Sequence, residues 1–329
     1  MLTDSYGRTA TDLRVSLTDR CNLRCAYCMP AEGLDWLPKP EVLTDDELVR
    51  LIGLAVSRLG ITEVRFTGGE PLLRRGLPGI IERVAAMEPR PETSLTTNGI
   101  GLDRLAGPLR AAGLDRINVS LDTLSADVFV QLARRDRLDD VLKGLVAATE
   151  AGLAPVKVNT VLMRGINDRD AVALLRFCLA RGYELRFIEQ MPLDAQHGWR
   201  REEMVTADEV LAALRTEFDL RPSDPVERGS APAETFLVDG GPQTVGIIGS
   251  VTRPFCGACD RVRLTADGQL RNCLFARDES DLRGPLRAGA SDDELVARWE
   301  RCIAVKLPGH GINDVGFLQP ARPMSAIGG

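Results

Sequence analysis

The chain has 329 residues, 44% of them hydrophobic and 27% charged, with a formal net charge of −6. That suffices for a large core, in two domains or one barrel-sized one, while the acidic balance argues against general nucleic-acid binding, which needs a basic face. No run reaches the roughly 20 apolar residues of a membrane span, and "MLTDSYGRTATDLR" lacks the layout of a signal peptide, so no membrane and a cytoplasmic location are expected.

Six short β-branched runs alternate with amphipathic stretches: 13–18, 63–68, 93–98, 116–122, 156–163 and 184–191. This is the pattern of βα units on a parallel sheet. Three capping boxes mark helix starts, at Thr44 with Glu47, Thr206 with Glu209, and Ser291 with Glu294. Residues 221–234, "RPSDPVERGSAPAE", read as a linker and divide the chain into 1–220 and 221–329. Beyond it, "DRVRLTADGQLRNCLF" shows two alternating segments around Asp267-Gly268, the signature of a hairpin.

In open sheets and barrels alike, functional groups gather at the carboxyl ends of the parallel strands. "CNLRCAYC" follows the first strand, "TGGEP" (67–71) ends the second, Thr96 and Asn98 end the third, and Ser120 and Asp122 the fourth. Lys157 and Asn159 lie on the fifth strand and "EQMP" closes the sixth, so one polar mouth is expected.

The eight cysteines are too few for a disulfide scaffold, and six of them fall into two triads. Cys21, Cys25 and Cys28 are spaced C-x3-C-x2-C; Cys256, Cys259 and Cys273 are spaced C-x2-C-x13-C. Three thiolates can hold three corners of a four-iron cluster and leave the fourth iron for another ligand. A zinc site would need a fourth ligand, and the chain holds only His197 and His310, so for the second triad a zinc ribbon completed by His310 stays open. Cys178 and Cys302 lie on apolar helical faces and read as core residues.

Near the glycine pair, Glu70 is placed to accept from a cationic amino group. Arg261 and Arg263 stand two apart on one strand, hence on one face, and with Arg14, Arg65 and Lys157 would suit a polyphosphate. There is no Walker-type loop, so a nucleotide here would be a substrate and not a hydrolysed fuel. The terminal Gly328-Gly329 reads either as a frayed tail or as a segment able to thread a narrow passage.

With Tyr27 just before the last cysteine, the first triad resembles the signature of the radical S-adenosylmethionine enzymes. "FTGGEPLLR", "LTTNG", "NVSLD", "CGACDRVRLTADGQLRNCL" and "MSAIGG" extend the resemblance, over Leu13 to Gly329, to the members that act on GTP in molybdenum cofactor biosynthesis. It implies an α/β fold, a partial six-stranded (βα)6 TIM-like barrel whose open side is closed by a C-terminal α+β region. It implies two [4Fe-4S] clusters facing one cavity, with S-adenosylmethionine as fourth ligand of the first. S-adenosylmethionine would meet Tyr27, Gly69, Ser120 and Met191; GTP would meet Arg14, Arg65, Thr96, Lys157 and the strand Arg261, Val262, Arg263.

The implied lyase reaction has a 5′-deoxyadenosyl radical remove the 3′ hydrogen of GTP, after which ribose C3′ attacks guanine C8. Arg263 and the second cluster are candidates for the final relay, and the Gly328-Gly329 tail would reach the site. A reducing electron donor, a downstream cyclic pyranopterin monophosphate synthase and a homodimer belong to the same expectation. Two alternatives stand beside it: a radical enzyme with an auxiliary cluster acting on a peptide or tetrapyrrole, and a structural zinc-binding protein.

Overall fold

The structure, a computed structural model, describes residues 1–328 apart from the side chains of Pro225 and Glu227; Gly329 lies outside the described residues. A short ribbon, β1 (Leu2–Thr3) with β2 (Thr9–Ala10), precedes the main sheet. All six expected strands form: β3 (Asp12–Ser16), β4 (Glu63–Thr67), β5 (Glu92–Thr97), β6 (Arg116–Ser120), β7 (Val156–Val161) and β8 (Glu184–Ile188). Helices α1 (Asp45–Leu59), α2 (Leu77–Ala85), α3 (Leu102–Ala111), α4 (Ala126–Ala133), α5 (Leu138–Glu150) and α6 (Ala171–Arg181) fill the connections.

Local chemistry fixes these elements. Thr44 accepts the Glu47 amide while Glu47 accepts the Thr44 amide, and α1 ends at Gly60 with φ 84°, a conformation that glycine adopts without strain. Between those signals, Leu48, Leu51, Ile52, Ala55 and Leu59 recur at helical spacing and are buried. The boxes at Thr206, opening α7 (Ala207–Leu214), and at Ser291, opening the helix Asp292–Ala304, form as the sequence predicts. Cys178 and Cys302 are buried in the main core.

The second half adds β9 (Leu220–Pro222), β10 (Glu234–Val238), β11 (Thr244–Ile248), β12 (Arg261–Leu264), β13 (Gln269–Arg271) and β14 (Ser280–Asp281). Among the described residues the result is one mixed, twelve-stranded sheet in the order β14-β13-β12-β3-β4-β5-β6-β7-β8-β11-β10-β9. β12 pairs parallel with β3 and β11 parallel with β8, so the parallel run continues beyond the six expected strands at both sides. Antiparallel ribbons then extend each end. Residues 221–234 carry part of β9 and a helical turn, Pro225–Arg228, and β9 pairs with β10. Glu189 stitches the two halves: its carboxylate accepts the amides of Ala207 at 2.7 Å, Val251 at 2.8 Å and Thr252 at 2.9 Å.

Candidate active site

Cys21, Cys25 and Cys28 occupy the loop after β3, and the Ala26 amide donates to Leu132 O at 2.9 Å, fastening that loop to α4. The Gly68-Gly69 pair at the end of β4 is required by this loop. A Cβ on Gly68 would stand 2.4 Å from Thr18 O, and one on Gly69 would stand 2.4 Å from both Asp19 O and Arg20 O. The amides of Gly69 and Glu70 each donate at 2.7 Å to the carbonyls of Thr18 and Arg20. Without side chains at the pair, the triad loop can lie directly on the end of β4.

Tyr27 donates its hydroxyl to Asp122 Oδ2 at 2.8 Å, which fixes the ring beside the triad. Asn98 Nδ2 reaches Cys21 Sγ at 3.9 Å and Asn22 Oδ1 at 2.7 Å. Burial pushes the Cys28 thiol up to about 12, with Cys21 beside it adding to the effect, and lifts Cys25 well above the ordinary thiol range. Thiolates at these positions therefore need a cation in the site.

Glu70 is placed differently from expectation. Its buried carboxylate accepts Thr97 Oγ1 at 2.6 Å, the Asn98 amide at 2.7 Å and the Leu72 amide at 3.0 Å, and it does not line the cavity. It joins the end of β4 to that of β5. Burial raises this carboxyl to about 7 despite the three donors.

The second triad does not share the mouth of the first. In the sheet register Arg261 stands opposite Asp12, the first residue of β3, so Cys259 lies beyond the amino ends of the strands, whereas Cys21 follows their carboxyl ends. One cavity of about 340 Å³ nevertheless touches all six triad cysteines, so the two sets face each other along the strands. The expectation of one mouth at the carboxyl ends fails here because β12 enters the sheet from the C-terminal half and carries its cysteines at its own start.

Between the triads lies a band of cations. Arg263 stands opposite Arg14, and Arg14 opposite Arg65, on three neighbouring strands. Arg261, Arg263, Arg14, Arg65 and Arg186 line the cavity, as do Tyr27, Gly69, Thr96, Ser120 and Met191. Val262 alternates onto the other face and is buried there. Lys157 does not line the cavity; its Nζ pairs with Glu184 at 3.1 Å.

Asp12 is the carboxylate that several of these guanidiniums share, 3.6 Å from Arg14, 3.8 Å from Arg65 and 3.9 Å from Arg261, and Asp260 stands 3.9 Å from Arg261 as well. Burial drives Arg14 down to about 10, against the pull of Asp12 and with Arg65 adding repulsion, and burial with Arg14 drives Arg263 to about 9. Among the described residues the Nε atoms of Arg14, Arg65 and Arg261 have no hydrogen-bond partner. Buried cationic donors left unsatisfied by protein mark a place for an anion.

Arg186 and Asp12 escape sequence reading. Arg186 carried a signal in its alternation along β8, which points it to the same side as the other cavity cations, and Nη2 meets Asn118 Oδ1 at 3.4 Å.

All eight cysteines are free thiols. Among the described residues, no three His, Cys, Asp or Glu side chains are grouped to hold a single metal ion. Three free thiols in a loop, as at Cys21, Cys25 and Cys28, are a donor set that suits three irons of a four-iron cluster. His310 lines the cavity, but its Nε2 meets Ser250 O at 2.9 Å and its Nδ1 accepts the Ile312 amide at 3.1 Å, so neither nitrogen is free to complete a zinc ribbon.

The C-terminal segment also enters the site. Arg263 Nη1 donates to Gly328 O, and a Cβ on Gly328, whose φ is 85°, would meet Thr67 Cγ2 at 2.7 Å. Gly329, the other tail residue of interest, lies outside the described residues.

Fold and site together define a radical S-adenosylmethionine protein: residues 15–178 match the Radical SAM superfamily, and residues 183–312 match Molybdenum Cofactor Synthesis C. Two solved structures share the fold: Streptococcus suis SuiB bound to precursor peptide SuiA, with TM-score 0.52, 14% identity and coverage of 82% of this chain and 60% of that one, and anSMEcpe with bound AdoMet, with TM-score 0.51, 16% identity and coverage of 63% and 57%. A GTP 3′,8-cyclase of Streptomyces coelicolor is 68% identical over 329 residues, covering 100% of this chain and 96% of its own. One from Mycobacterium sp. (strain KMS) is 63% identical over 328 residues, covering 100% and 93%. The chain belongs to the GTP 3′,8-cyclase family.

Proposed function

We propose that the chain is a radical S-adenosylmethionine lyase that converts GTP to (8S)-3′,8-cyclo-7,8-dihydroguanosine 5′-triphosphate, the first step of molybdenum cofactor biosynthesis. Its family membership supports the reaction. The single observation that carries the substrate is the row of buried arginines between two thiol triads in one cavity, of which Arg14, Arg65 and Arg261 have no hydrogen-bond partner at Nε among the described residues. A neutral peptide would leave that charge uncompensated.

On this reading Cys21, Cys25 and Cys28 hold a [4Fe-4S] cluster with one open iron, and Cys256, Cys259 and Cys273 hold a second. When bound, the first cluster and S-adenosylmethionine supply an electron and a hydrogen-abstracting carbon radical. Tyr27, Gly69, Ser120 and Met191 contact S-adenosylmethionine, and Glu70 shapes the loop below it instead of meeting its amino group. Arg14, Arg65, Arg261, Arg263 and Arg186 bind the triphosphate, with Thr96 nearby and Lys157 reached by exchange of its Glu184 partner. Arg263 also anchors the tail at Gly328.

The same reading takes β3 to β8 as the six strands of a partial barrel, residues 1–220 as its domain and 221–329 as the region that closes it. It further includes a reducing electron donor, a cyclic pyranopterin monophosphate synthase that consumes the product, a homodimer and a cytoplasmic location. Among the described residues no helix is long and apolar enough to cross a membrane.

The test is anaerobic purification, reconstitution with iron and sulfide, reduction, and addition of S-adenosylmethionine with or without GTP. Mass spectrometry should find 5′-deoxyadenosine and a cyclised product only with GTP. Release of 5′-deoxyadenosine with GTP untouched would sink the substrate assignment; zinc without sulfide in the protein would sink the enzyme assignment.

A further inference from the structure

Residues 305–307 read Val-Lys-Leu just after the helix Asp292–Ala304, and their burial is the reverse of the usual order. Val305 and Leu307 are each 70% exposed, whereas Lys306 is 4% exposed. A buried ammonium is costly unless paired. Lys306 Nζ donates to Cys259 O at 3.1 Å, to Arg261 O at 2.9 Å and to Cys259 Sγ at 3.5 Å. Two carbonyls bracket the head group, and among the described residues no carboxylate pairs with it. The group beside it that can carry negative charge is the sulfur of Cys259.

Arg261 Nη1 also approaches Cys259 Sγ, at 3.7 Å, but Arg261 lines the cavity and is tied to the substrate site. Lys306 does not line the cavity. It can therefore act on the sulfur without touching substrate.

We infer that Lys306 is a positioning residue for the second triad, holding the Cys259 loop through its two carbonyls and raising the reduction potential of the cluster bound there through its charge and its N–H···S bond. The inference rests on the reading of that triad as a cluster site. Reducing a cluster adds one negative charge; a cation and a donor at a ligand sulfur stabilise the reduced form more than the oxidised one. Cys259 Sγ is approached by donors of two side-chain cations, Lys306 at 3.5 Å and Arg261 at 3.7 Å, whereas Cys273 Sγ accepts the Phe275 amide at 3.4 Å.

The experiment uses the full chain with Cys21, Cys25 and Cys28 changed to alanine, so that only the second triad can take a cluster, in parent, K306R, K306Q and K306M forms. Iron and sulfide are measured first, then the one-electron midpoint potential by dye-mediated titration followed by electron paramagnetic resonance. The parent and K306R should agree. K306Q, which keeps a donor without charge, and K306M should both titrate lower, with the reduced-to-oxidised ratio at fixed potential falling at least tenfold, which is about 59 mV for one electron.

Full clusters at an unchanged potential in K306Q and K306M would overturn the role of Lys306 and leave the cluster reading standing. No iron and sulfide in the parent would overturn both. If K306M and K306Q fail to retain a cluster that K306R retains, the need for a cation at Cys259 is upheld by retention instead of by potential.

Discussion

Arg263 donates a hydrogen bond from Nη1 to the backbone carbonyl of Gly328, joining a strand deep in the sheet to a residue 65 positions later. The same arginine stands opposite Arg14 in the sheet register, so Gly328 lies against the cation band.

That position leaves no room for a side chain. Gly328→Ala introduces a Cβ 2.7 Å from Thr67 Cγ2 at a φ of 85°, where a non-glycine residue costs about 1 to 2 kcal/mol before any clash. Product formation should fall at least about tenfold while iron content and melting temperature stay near wild type. Iron analysis and a product time course on the same preparation check this; unimpaired turnover would mean the tail is a passenger.

Arg65 supplies a buried guanidinium whose Nε has no partner among the described residues. Arg65→Met should weaken GTP binding by about ten- to hundredfold, the range for a charge-assisted hydrogen bond. Binding of guanosine, which lacks the phosphates, should change little. Equilibrium dialysis with both ligands distinguishes a triphosphate contact from a general packing defect, which would weaken both.

Glu70 gives a pH signature. Burial raises its carboxyl to about 7 in the folded chain, so between the ordinary unfolded value near 4.5 and about 7 the native state binds the extra proton. Stability is then greatest at the acid side of that window and declines as pH rises through it, by about 3 kcal/mol for this one group. Glu70→Gln should flatten that decline in urea melts between pH 5 and 7.5. An identical slope in the variant would place the titrating group elsewhere.

Tyr27 and Asp122 form a buried pair at 2.8 Å, and the remaining Asp122 oxygen accepts the Val161 amide at 2.8 Å. Tyr27→Phe leaves the carboxylate one donor short and should cost about 1 to 3 kcal/mol of stability. Since the hydroxyl fixes the ring next to Cys28, affinity for S-adenosylmethionine should fall as well. Calorimetric titration and thermal melts of Tyr27→Phe beside Asp122→Asn check both effects.

What could be read from the sequence was whatever depends on neighbours along the chain. The alternation of β3 to β8, the three capping boxes and the shared face of Arg261 and Arg263 are local patterns, and the structure contains each. What could not be read depends on register between distant strands. Asp12 looks like an ordinary polar residue until β12 brings Arg261 opposite it. Lys306, between Val305 and Leu307, reads as a surface lysine until the Cys259 loop closes over it. The amino-end position of the second triad follows from the parallel pairing of β12 with β3, which no spacing of cysteines encodes.

That pairing has a consequence for how the chain can be divided. β12 and β11, both from the second half, cover β3 and β8, the two outer strands of the first. A fragment ending near residue 220 would present two long rows of unpaired backbone donors and acceptors, the template on which strands of other copies add. The first half is thus a sheet with two raw margins, and the second half hems both; separate expression of the halves should give aggregates where the intact chain gives a soluble monodisperse species.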